Sequence, residues 1–349
     1  TMRRCESCHD EGSHADWLPY VERHMEEVAC ETCHIPQMYA PAIESYDWTT
    51  LQVDAKPLSS CRGGDAGNSI TSLITGYEPA LLMRTNVDGD STLSPYNLIA
   101  SWYWLYDDAN GNTRPVRQLD LEAAFFENNQ YAAEILSEFD ANNDGALNET
   151  ELRLDSDNKV EAVSARLNAL GLNNPRVNGE VQPYSINHNV TRGDYAINDC
   201  TACHSDSSRL TQAMKLADYV PAGITPAFVQ DTNVQATGEL YVGNDGALYY
   251  KPVPKNDSTY IFGSSRISWI DWLGGLLFIG VILGVTGHST LRYLATRKAP
   301  KSEHEHKAVY MYDVYERLWH WLQTSGIVIL LLTGLVIHRP DMFGVFSFR

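Results

Sequence analysis

Three copies of the pattern Cys-x-x-Cys-His dominate this sequence: CESCH at 5–9, CETCH at 30–34 and CTACH at 200–204. Two thiols at this spacing can form thioethers to the two vinyl groups of one haem, and the next histidine is then placed beneath the iron as its proximal ligand. The pattern predicts three covalent haem c groups. The residues that would hold them are Cys5, Cys8, His9, Cys30, Cys33, His34, Cys200, Cys203 and His204.

Two other interpretations of the cysteines are open. Cys5, Cys8, Cys30 and Cys33 have roughly the spacing of a four-cysteine zinc ribbon. An exported domain can also use its cysteines in disulfides. Both interpretations leave unexplained the histidine that follows every pair, and the zinc ribbon gives the pair at 200–203 no partner. Haem attachment accounts for all of these residues.

Each iron needs a sixth ligand or an open coordination position. Besides the proximal histidines, residues 1–266 contain only His14, His24 and His188. Three spare imidazoles for three irons predict bis-histidine ligation, which suits electron relay because no position is left for a substrate. The sequence does not pair these histidines with particular irons, and a lone histidine is often an ordinary surface or core residue. Cys61 has no partner motif and is expected to be a buried structural thiol.

The segment DANNDGALNETE at 140–151 matches the calcium loop of an EF-hand position by position. Gly145 would allow the sharp turn, and a solvated Asn/Asp turn is the alternative. We see no second loop of this kind, so we expect calcium to act as a structural clamp rather than in a sensor. The predicted ligands are Asp140, Asn142, Asp144, the carbonyl of Ala146, and Glu151.

The C-terminal part of the chain is much more apolar. Residues 268–287 and 318–337 are each long and apolar enough to cross a bilayer, with Trp269 and Trp272 as interfacial anchors of the first span. The connection between the spans is rich in arginine and lysine. The positive-inside rule therefore predicts a cytoplasmic connection and places residues 1–266 outside. Two core helices of a soluble protein are the alternative.

His320 and His338 lie near opposite ends of the second span. In an α-helix they would project from one face, about 27 Å apart along the axis. This arrangement can hold one haem b near each membrane surface, although histidines can also lie simply at the water interface. Coordinating residues within a span are uncommon and usually functional. His288, near the end of the first span, is a more ambiguous candidate ligand.

The segment YERLWHWLQTSGIVILLLTGLVIHRP at 315–340 resembles the first helix of the cytochrome b subunits of bacterial formate dehydrogenase, thiosulfate reductase and nickel-iron hydrogenase. The shared pattern is an Arg-x-x-His-Trp opening and a later Thr-Gly. The matching residues are Arg317, His320, Trp321, Thr333 and Gly334. The resemblance implies a four-helix membrane domain that holds two haems b and exchanges electrons with quinone. The later helices of that family are not in this sequence.

The segment ACETCHIP at 29–36 is similar in style to multihaem cytochromes of the octahaem tetrathionate reductase type. That family has more attachment motifs than this chain. The sequence also begins without a signal peptide and stops just after an apolar span, so we expect a chain that is truncated at both ends.

Composition and periodicity limit the remaining possibilities. The net charge of -18 argues against nucleic-acid binding and against a polybasic membrane patch. Helical spacing of apolar residues predicts helices over 119–139, about 158–170 and 208–217. Gly-Asn-Asp-Gly at 243–246, between ELYV and ALYYKPV, predicts a β-hairpin.

Together these observations predict a mainly α fold with extensive loops. Its parts would be an exported multihaem cytochrome c domain with an EF-hand insertion, then two transmembrane helices that begin a four-helix cytochrome b bundle. The expected boundaries are 1–266 for the exported domain, 267–290 for the first transmembrane helix, 291–316 for the cytoplasmic loop and 317–349 for the first cytochrome b helix.

The expected function is electron transfer between the quinone pool, through one or two haems b, and a periplasmic redox protein or terminal acceptor, through haem c. Such a chain would be a multi-pass protein of the bacterial inner membrane, in contact with lipid and with residues 1–266 in the periplasm. A multihaem reductase of a sulfur or nitrogen oxyanion is the alternative, and it needs an iron without a strong sixth ligand. A calcium-dependent structural or sensor protein would explain only the EF-hand loop.

Overall fold

A strand of 17 residues, β4 (Ser91–Asp107), is the centre of the N-terminal part of the chain. Aromatic and β-branched residues favour such a strand. From Leu98 to Trp104, buried residues alternate with half-buried ones along the strand. Trp102 and Trp104 are both buried on the same face. Their indole N–H groups donate to the carbonyls of Ile224 and Thr49 at 2.8 and 2.9 Å, so neither buried polar group lacks a partner.

The structure is a computed structural model that describes residues 5–9, 14, 18, 20–64, 74–86, 89–205, 207–230, 233–253, 268–298 and 312–338. The chain divides into two compact units, Thr1–Asp257 and Ser258–Arg349, which are described separately. The helices of the first unit are α1 (Val21–Glu27), α2 (Cys30–His34), α3 (Gln118–Phe125), α4 (Ala133–Phe139) and α5 (Asp157–Ala169). Its other strands are β1 (Ala42–Asp47), β2 (Leu58–Arg62), β3 (Ala80–Thr85), β5 (Thr113–Pro115), β6 (Phe126–Glu127), β7 (Gln130–Tyr131), β8 (Asn173–Ser185), β9 (Met214–Ala217), β10 (Ala227–Phe228), β11 (Val234–Gln235), β12 (Gly238–Val242) and β13 (Leu248–Pro252).

The large sheet of the first unit is mixed. Its main path runs β10-β8-β4-β1-β2, with β3, β5 and β11 attached beside it. Strand β4 pairs antiparallel with β8 and parallel with β1. A second sheet has the order β12-β13-β9. One buried cluster packs α3, α4 and α5 against Trp104, and another packs the second sheet against Trp102.

The prediction of a mainly α fold is therefore wrong, because the first unit is a mixed α/β structure built on a large sheet. The sheet depends on pairings between segments far apart in the sequence, such as β4 with β8 and β1 with β4. Local periodicity does not contain that information. The strand potential of the aromatic run in β4 was the missed signal.

Local predictions for the first unit had mixed outcomes. The helix predicted over 119–139 is two helices, α3 and α4, separated by the β6-β7 hairpin. Asn128 and Asn129 adopt φ values of 51° and 62° there, a turn that asparagine tolerates and that ends a helix. The helix predicted over 208–217 is also wrong, since that segment is a turn followed by strand β9. Helix α5 and the β12-β13 hairpin confirm the other two predictions.

The second unit contains α6 (Ser268–Lys298) and α7 (Val314–His338). Within the described ranges one helical segment, Trp272–Lys298, is long and apolar enough to cross a membrane. The prediction of two transmembrane helices that begin a four-helix bundle is therefore wrong. The first half of α7 contains Arg317, His320 and Gln323, whose polar side chains interrupt its apolar run. Residues 254–267, 299–311 and 339–349, which include parts of the expected domain boundaries, lie outside the described residues.

Candidate cofactor-binding site

Helix α2 holds the second Cys-x-x-Cys-His motif against the central strand. The hydroxyl of Thr32 is fully buried and donates to the carbonyl of Leu93 on β4 at 2.7 Å. The backbone N–H of Ala29, just before the helix, donates to the same carbonyl at 2.9 Å. One helical turn then places Cys30, Cys33 and His34 on neighbouring positions of one face. A variable position of the motif, Thr32, thus anchors it to β4.

The imidazole of His34 is oriented by Thr191, which lies after β8. Nδ1 of His34 is 2.9 Å from the carbonyl oxygen of Thr191, which can only accept a hydrogen bond. In return, the backbone N–H and the hydroxyl of Thr191 donate to the carbonyl of His34 at 2.7 and 3.1 Å. Nδ1 therefore carries the proton, and Nε2 is the nitrogen that can bind a metal. Metal-binding histidines are commonly fixed in this way.

The first and third motifs fold as tight turns. The backbone N–H of His9 donates to the carbonyl of Cys5 at 3.0 Å, and that of His204 donates to the carbonyl of Cys200 at 2.8 Å. In the third motif Asp199 accepts from the backbone N–H and hydroxyl of Thr201 at 2.9 and 2.6 Å. These bonds from Thr201 lower the pKa of Asp199 below its ordinary value. Each turn brings both cysteines and the histidine close together.

Two of the spare histidines lie against proximal histidines. The ring centres of His14 and His34 are 6.0 Å apart, and those of His24 and His204 are 6.2 Å apart. A metal–imidazole bond is about 2 Å and the nitrogen is about 1 Å from its ring centre, so two imidazoles on opposite sides of one metal have ring centres about 6 Å apart. Both pairs match this separation. The ring-centre distance of each pair is therefore compatible with an iron held between its two rings.

The backbone also orients His24. It lies on α1, and its Nδ1 is 3.2 Å from the carbonyl oxygen of Tyr20, one turn earlier. Tyr20 has a left-handed backbone conformation with φ of 56°, which is uncommon for this residue type and begins α1 at this position. As with His34, the contact at Nδ1 leaves Nε2 as the nitrogen for a metal.

The second and third motifs share one environment. Burial, with a smaller contribution from the neighbouring Cys203, raises the pKa of the Cys33 thiol to about 11, while Arg209 opposes the change. Burial likewise raises the pKa of the Cys203 thiol. Both cysteines are therefore neutral thiols at neutral pH before any attachment. A zinc ribbon requires four cysteines around one metal ion. Among the described residues no group of three or more His, Cys, Asp or Glu side chains is placed to hold a metal ion.

The remaining predicted ligands are not brought into such pairs in the described part of the chain. His188 is exposed after β8, and His9 is exposed in the first motif. His320 is exposed on α7 and His288 is exposed on α6. His338 is the last residue of α7, and its side chain lies outside the described residues. Cys61 is half-buried on β2.

The predicted calcium loop lies between α4 and α5 and closes on itself. The carboxylate of Asp140 accepts from the backbone N–H of Gly145 at 2.8 Å, and Gly145 has the positive φ of 80° that the turn needs. Glu151 is buried and accepts from the backbone N–H of Asn142 at 3.3 Å, so the last position folds back over the first part of the loop. Asp144, Asn142 and Ala146 form the turn between them. The acidic side chains of the loop are not grouped into a metal site.

The motifs did not indicate several residues that support the site. Thr32, Thr191 and Arg209 lie within or just after segments that the sequence marks, but their partners are distant in the chain. Of these three residues, only Thr32 lies inside an attachment motif, so only Thr32 could have been noticed from the sequence.

Comparisons with known proteins gave two partial matches. No protein-family model matches the chain. Over 72 residues the chain is 36% identical to the Escherichia coli (strain K12) protein provisionally named cytochrome YdhU, a match that covers 20% of this chain and 27% of YdhU. The crystal structure of octaheme cytochrome c from Shewanella oneidensis aligns with 59% of this chain and 49% of its own, at 18% identity and a TM-score of 0.33. The chain thus spans about a quarter of the length of the relative that it matches in sequence.

Proposed function

We propose that this protein is a membrane-anchored, multihaem c-type cytochrome that transfers electrons. The observation that carries the proposal is the meeting of each of two spare histidines with the histidine of an attachment motif. The pairs are His14 with His34 and His24 with His204. The partial likeness to the cytochrome YdhU supports the same conclusion.

The residues of each site have separate roles in this proposal. The paired cysteines would attach the haem, and the two histidines would bind its iron from opposite sides. Haem supplies a one-electron couple when bound, while the chain positions it and tunes its potential. Thr191 contacts Nδ1 of His34, which leaves Nε2 as the nitrogen that would bind the iron. Two strong ligands leave no position for a substrate, so these two sites favour electron relay over catalysis by a reductase.

For the first motif, His188 remains the proposed sixth ligand, since it is the one spare histidine of residues 1–266 outside the two pairs. We propose that it completes the site of Cys5, Cys8 and His9, and that the covalent haem count is three.

In the second unit, α6 would anchor the protein in the bacterial inner membrane. Its apolar side chains are exposed along the helix, as expected for contact with lipid. Residues 1–266 would then lie in the periplasm, where a redox protein or terminal acceptor takes or supplies electrons. His320 on α7 is the proposed ligand of a haem b that exchanges electrons with quinone. The resemblance of residues 315–340 to cytochrome b subunits supports this assignment.

We also propose that the loop 140–151 binds calcium as a structural clamp. The closed loop, the positive φ of Gly145 and the return of Glu151 support this assignment. Lys159 on α5 donates to the carbonyls of Glu151 and Arg153 at 2.8 and 2.9 Å, and so connects the loop to α5. Calcium would stiffen this connection.

Covalent haem is the direct test of the main proposal. In protein made by cells with active haem-loading machinery, a pyridine haemochrome spectrum and haem staining in a denaturing gel are expected to give three covalent haems per chain. The double substitution Cys200→Ala and Cys203→Ala should remove one of them. Cys61→Ala is the matched control and should keep all three. A colourless protein that contains zinc would contradict the proposal.

A further inference from the structure

A cationic pocket lies beside the second and third attachment motifs. It is a cavity of about 360 Å³, bordered by β2, β3, β9 and the turn after the third motif. Its charged lining consists of Arg62, Arg209, Lys215, Glu44 and Glu78. No role in the proposed electron transfer explains why these side chains converge.

Arg62 in this cationic pocket is buried, Arg209 is half-buried, and among the described residues both guanidinium groups are only partly bonded. Arg62 donates to the carbonyl of Leu98 at 3.1 Å and to the sulfur of Met214 at 3.0 Å, and its Nε atom has no partner. Arg209 donates to the carbonyl of Pro79 at 2.9 Å, and its Nε and Nη1 atoms have no partner. Since both side chains line the cavity, a rotation of either guanidinium presents these N–H groups to an anion there.

The acidic side chains do not balance the two arginines. Among the described residues neither guanidinium forms an ion pair with a carboxylate. Burial raises the pKa of Glu44, although the nearby charges of Arg62 and Lys215 oppose this change. Lys215 is already paired with Asp218 at 2.6 Å. Glu44 and Glu78 act on Arg62 and Arg209 through their charge without accepting a hydrogen bond from either. Buried guanidinium N–H groups without an acceptor are unfavourable, so the cationic pocket favours a ligand with oxygens that accept from them.

The position of the pocket connects it to the haem sites. Arg209 follows the third motif, and Ser207, between that motif and Arg209, also lines the pocket. The backbone N–H of Ile197, just before the third motif, donates to the carbonyl of Cys33 at 2.9 Å, so the second motif lies next to the third. In the proposed sites His14 and His24 would complete the coordination of the two neighbouring irons, so an anion in the pocket would not be a ligand of iron. Such an anion would act on the neighbouring haems through its charge.

We infer that the cationic pocket binds a small oxyanion from solution and that the bound anion lowers the reduction potential of the haem pair attached at Cys33 and Cys203. Two guanidinium groups recognise the oxygens of an oxyanion through paired N–H donors. Negative charge beside a haem disfavours its reduced form. The effect on potential rests on the proposed electron-transfer function, whereas anion binding does not.

Isothermal titration of the haem-loaded protein with sulfate, a redox-inert probe, tests the inference. Ionic strength is held constant with chloride. Wild-type protein is expected to bind one sulfate saturably, and Arg209→Gln and Arg62→Gln should each weaken binding at least tenfold. The matched control is Arg114→Gln, an exposed arginine paired with Asp108 at 2.7 Å, which should keep wild-type affinity.

A potentiometric titration supplies the second measurement. Saturating sulfate should change the ratio of oxidised to reduced haem about tenfold at a fixed potential, which is about 59 mV for a one-electron couple. In Arg209→Gln this dependence on sulfate should vanish. If Arg209→Gln does not fold, Arg62→Gln and the charge-conserving Arg209→Lys replace it, and Arg209→Lys should retain the dependence.

The outcomes separate the two proposals. Sulfate that fails to bind saturably to haem-loaded wild-type protein, or that binds both glutamine variants equally well, overturns the anion site. A shift in potential caused by Arg209→Gln without any dependence on sulfate assigns Arg209 to a haem propionate and also overturns it. If protein made by cells with active haem-loading machinery carries no haem, the cytochrome proposal is rejected. Saturable sulfate binding to that protein would still support the anion site.

Discussion

The ring centre of His24 lies 6.2 Å from the ring centre of His204, although the two residues are far apart in the sequence. His24 comes from α1, immediately before the second attachment motif, while His204 belongs to the third. A histidine next to one motif thus lies against the histidine of another. His14 and His34 form the other pair, at 6.0 Å. The His24–His204 pair brings the N-terminal segment into contact with a segment that is distant in the sequence.

His24→Ala should convert the haem of the third motif from low to high spin. Loss of the sixth ligand leaves an open position on that iron, so about one third of the low-spin signal should be lost in a chain with three haems. Electron paramagnetic resonance and visible spectra measure this change. Glu22→Ala, on the exposed part of the same helix, is the control and should leave the spectra unchanged. An unaltered low-spin signal in His24→Ala would contradict the pairing.

Thr32→Val should destabilise the first unit by about 1 kcal/mol, because it removes the buried hydrogen bond from Thr32 to Leu93. Leu93 keeps its bond from Ala29, which limits the cost. Denaturant unfolding of the haem-loaded protein measures the difference. Thr201→Val removes a threonine hydroxyl from the other variable position of the third motif, where the residue is exposed and water can replace it, so its effect should be smaller. Equal effects of the two substitutions would argue against the anchoring role of Thr32.

Asp47 should make the protein less stable as pH rises. Burial raises its pKa above the ordinary 3.8, despite hydrogen bonds from Thr49 and Tyr219. A raised pKa in the folded state gives stability that is complete below about pH 3.8 and is lost as pH rises through the folded pKa. The free energy of unfolding of Asp47→Asn should therefore fall less over this window than that of wild type. Chemical denaturation at a series of pH values measures both.

Asp108→Asn provides a control of opposite sign for the pH experiment. A hydrogen bond from Arg114 is the main cause that lowers the pKa of Asp108 to about 2. Its contribution is present above about pH 3.8 and is lost as pH falls through 2. The difference between wild type and Asp108→Asn should therefore shrink on acidification. If both substitutions changed the pH dependence in the same direction, the prediction that ionisation of Asp47 destabilises the protein would be contradicted.

Glu151→Gln should weaken calcium binding and lower the melting temperature in the presence of calcium. The substitution removes the carboxylate at the last position of the loop, which is the bidentate ligand of an EF-hand. Calorimetry with added calcium or chelator measures the change. Glu149→Gln alters an exposed residue at a position that supplies no ligand, and it should respond to chelator as wild type does. Equal melting of wild-type protein with and without chelator would reject the calcium clamp.

Local patterns predicted some elements well and others poorly. Helix α5 follows a serine cap at Ser156 and ends before Gly171, so its boundaries were readable. The helix over 119–139 was not, because Asn128 and Asn129 turn the chain in its middle. The large sheet was missed altogether, since the partners of β4 are remote in sequence. The sequence also did not indicate a role for Arg209, because the residues with which it interacts, Cys33 and Pro79, are distant in the chain.

By itself the sequence determined which residues can attach a cofactor, because two cysteines and a histidine at fixed spacing need only one turn of backbone to come together. It likewise determined the order of possible ligands in the loop 140–151. Only the tertiary structure decided that His14 meets His34, that His24 meets His204, and that Arg62 and Arg209 share a cavity. These relationships depend on how α1, α2 and the strands pack, and packing between distant segments is set by the whole fold rather than by local spacing.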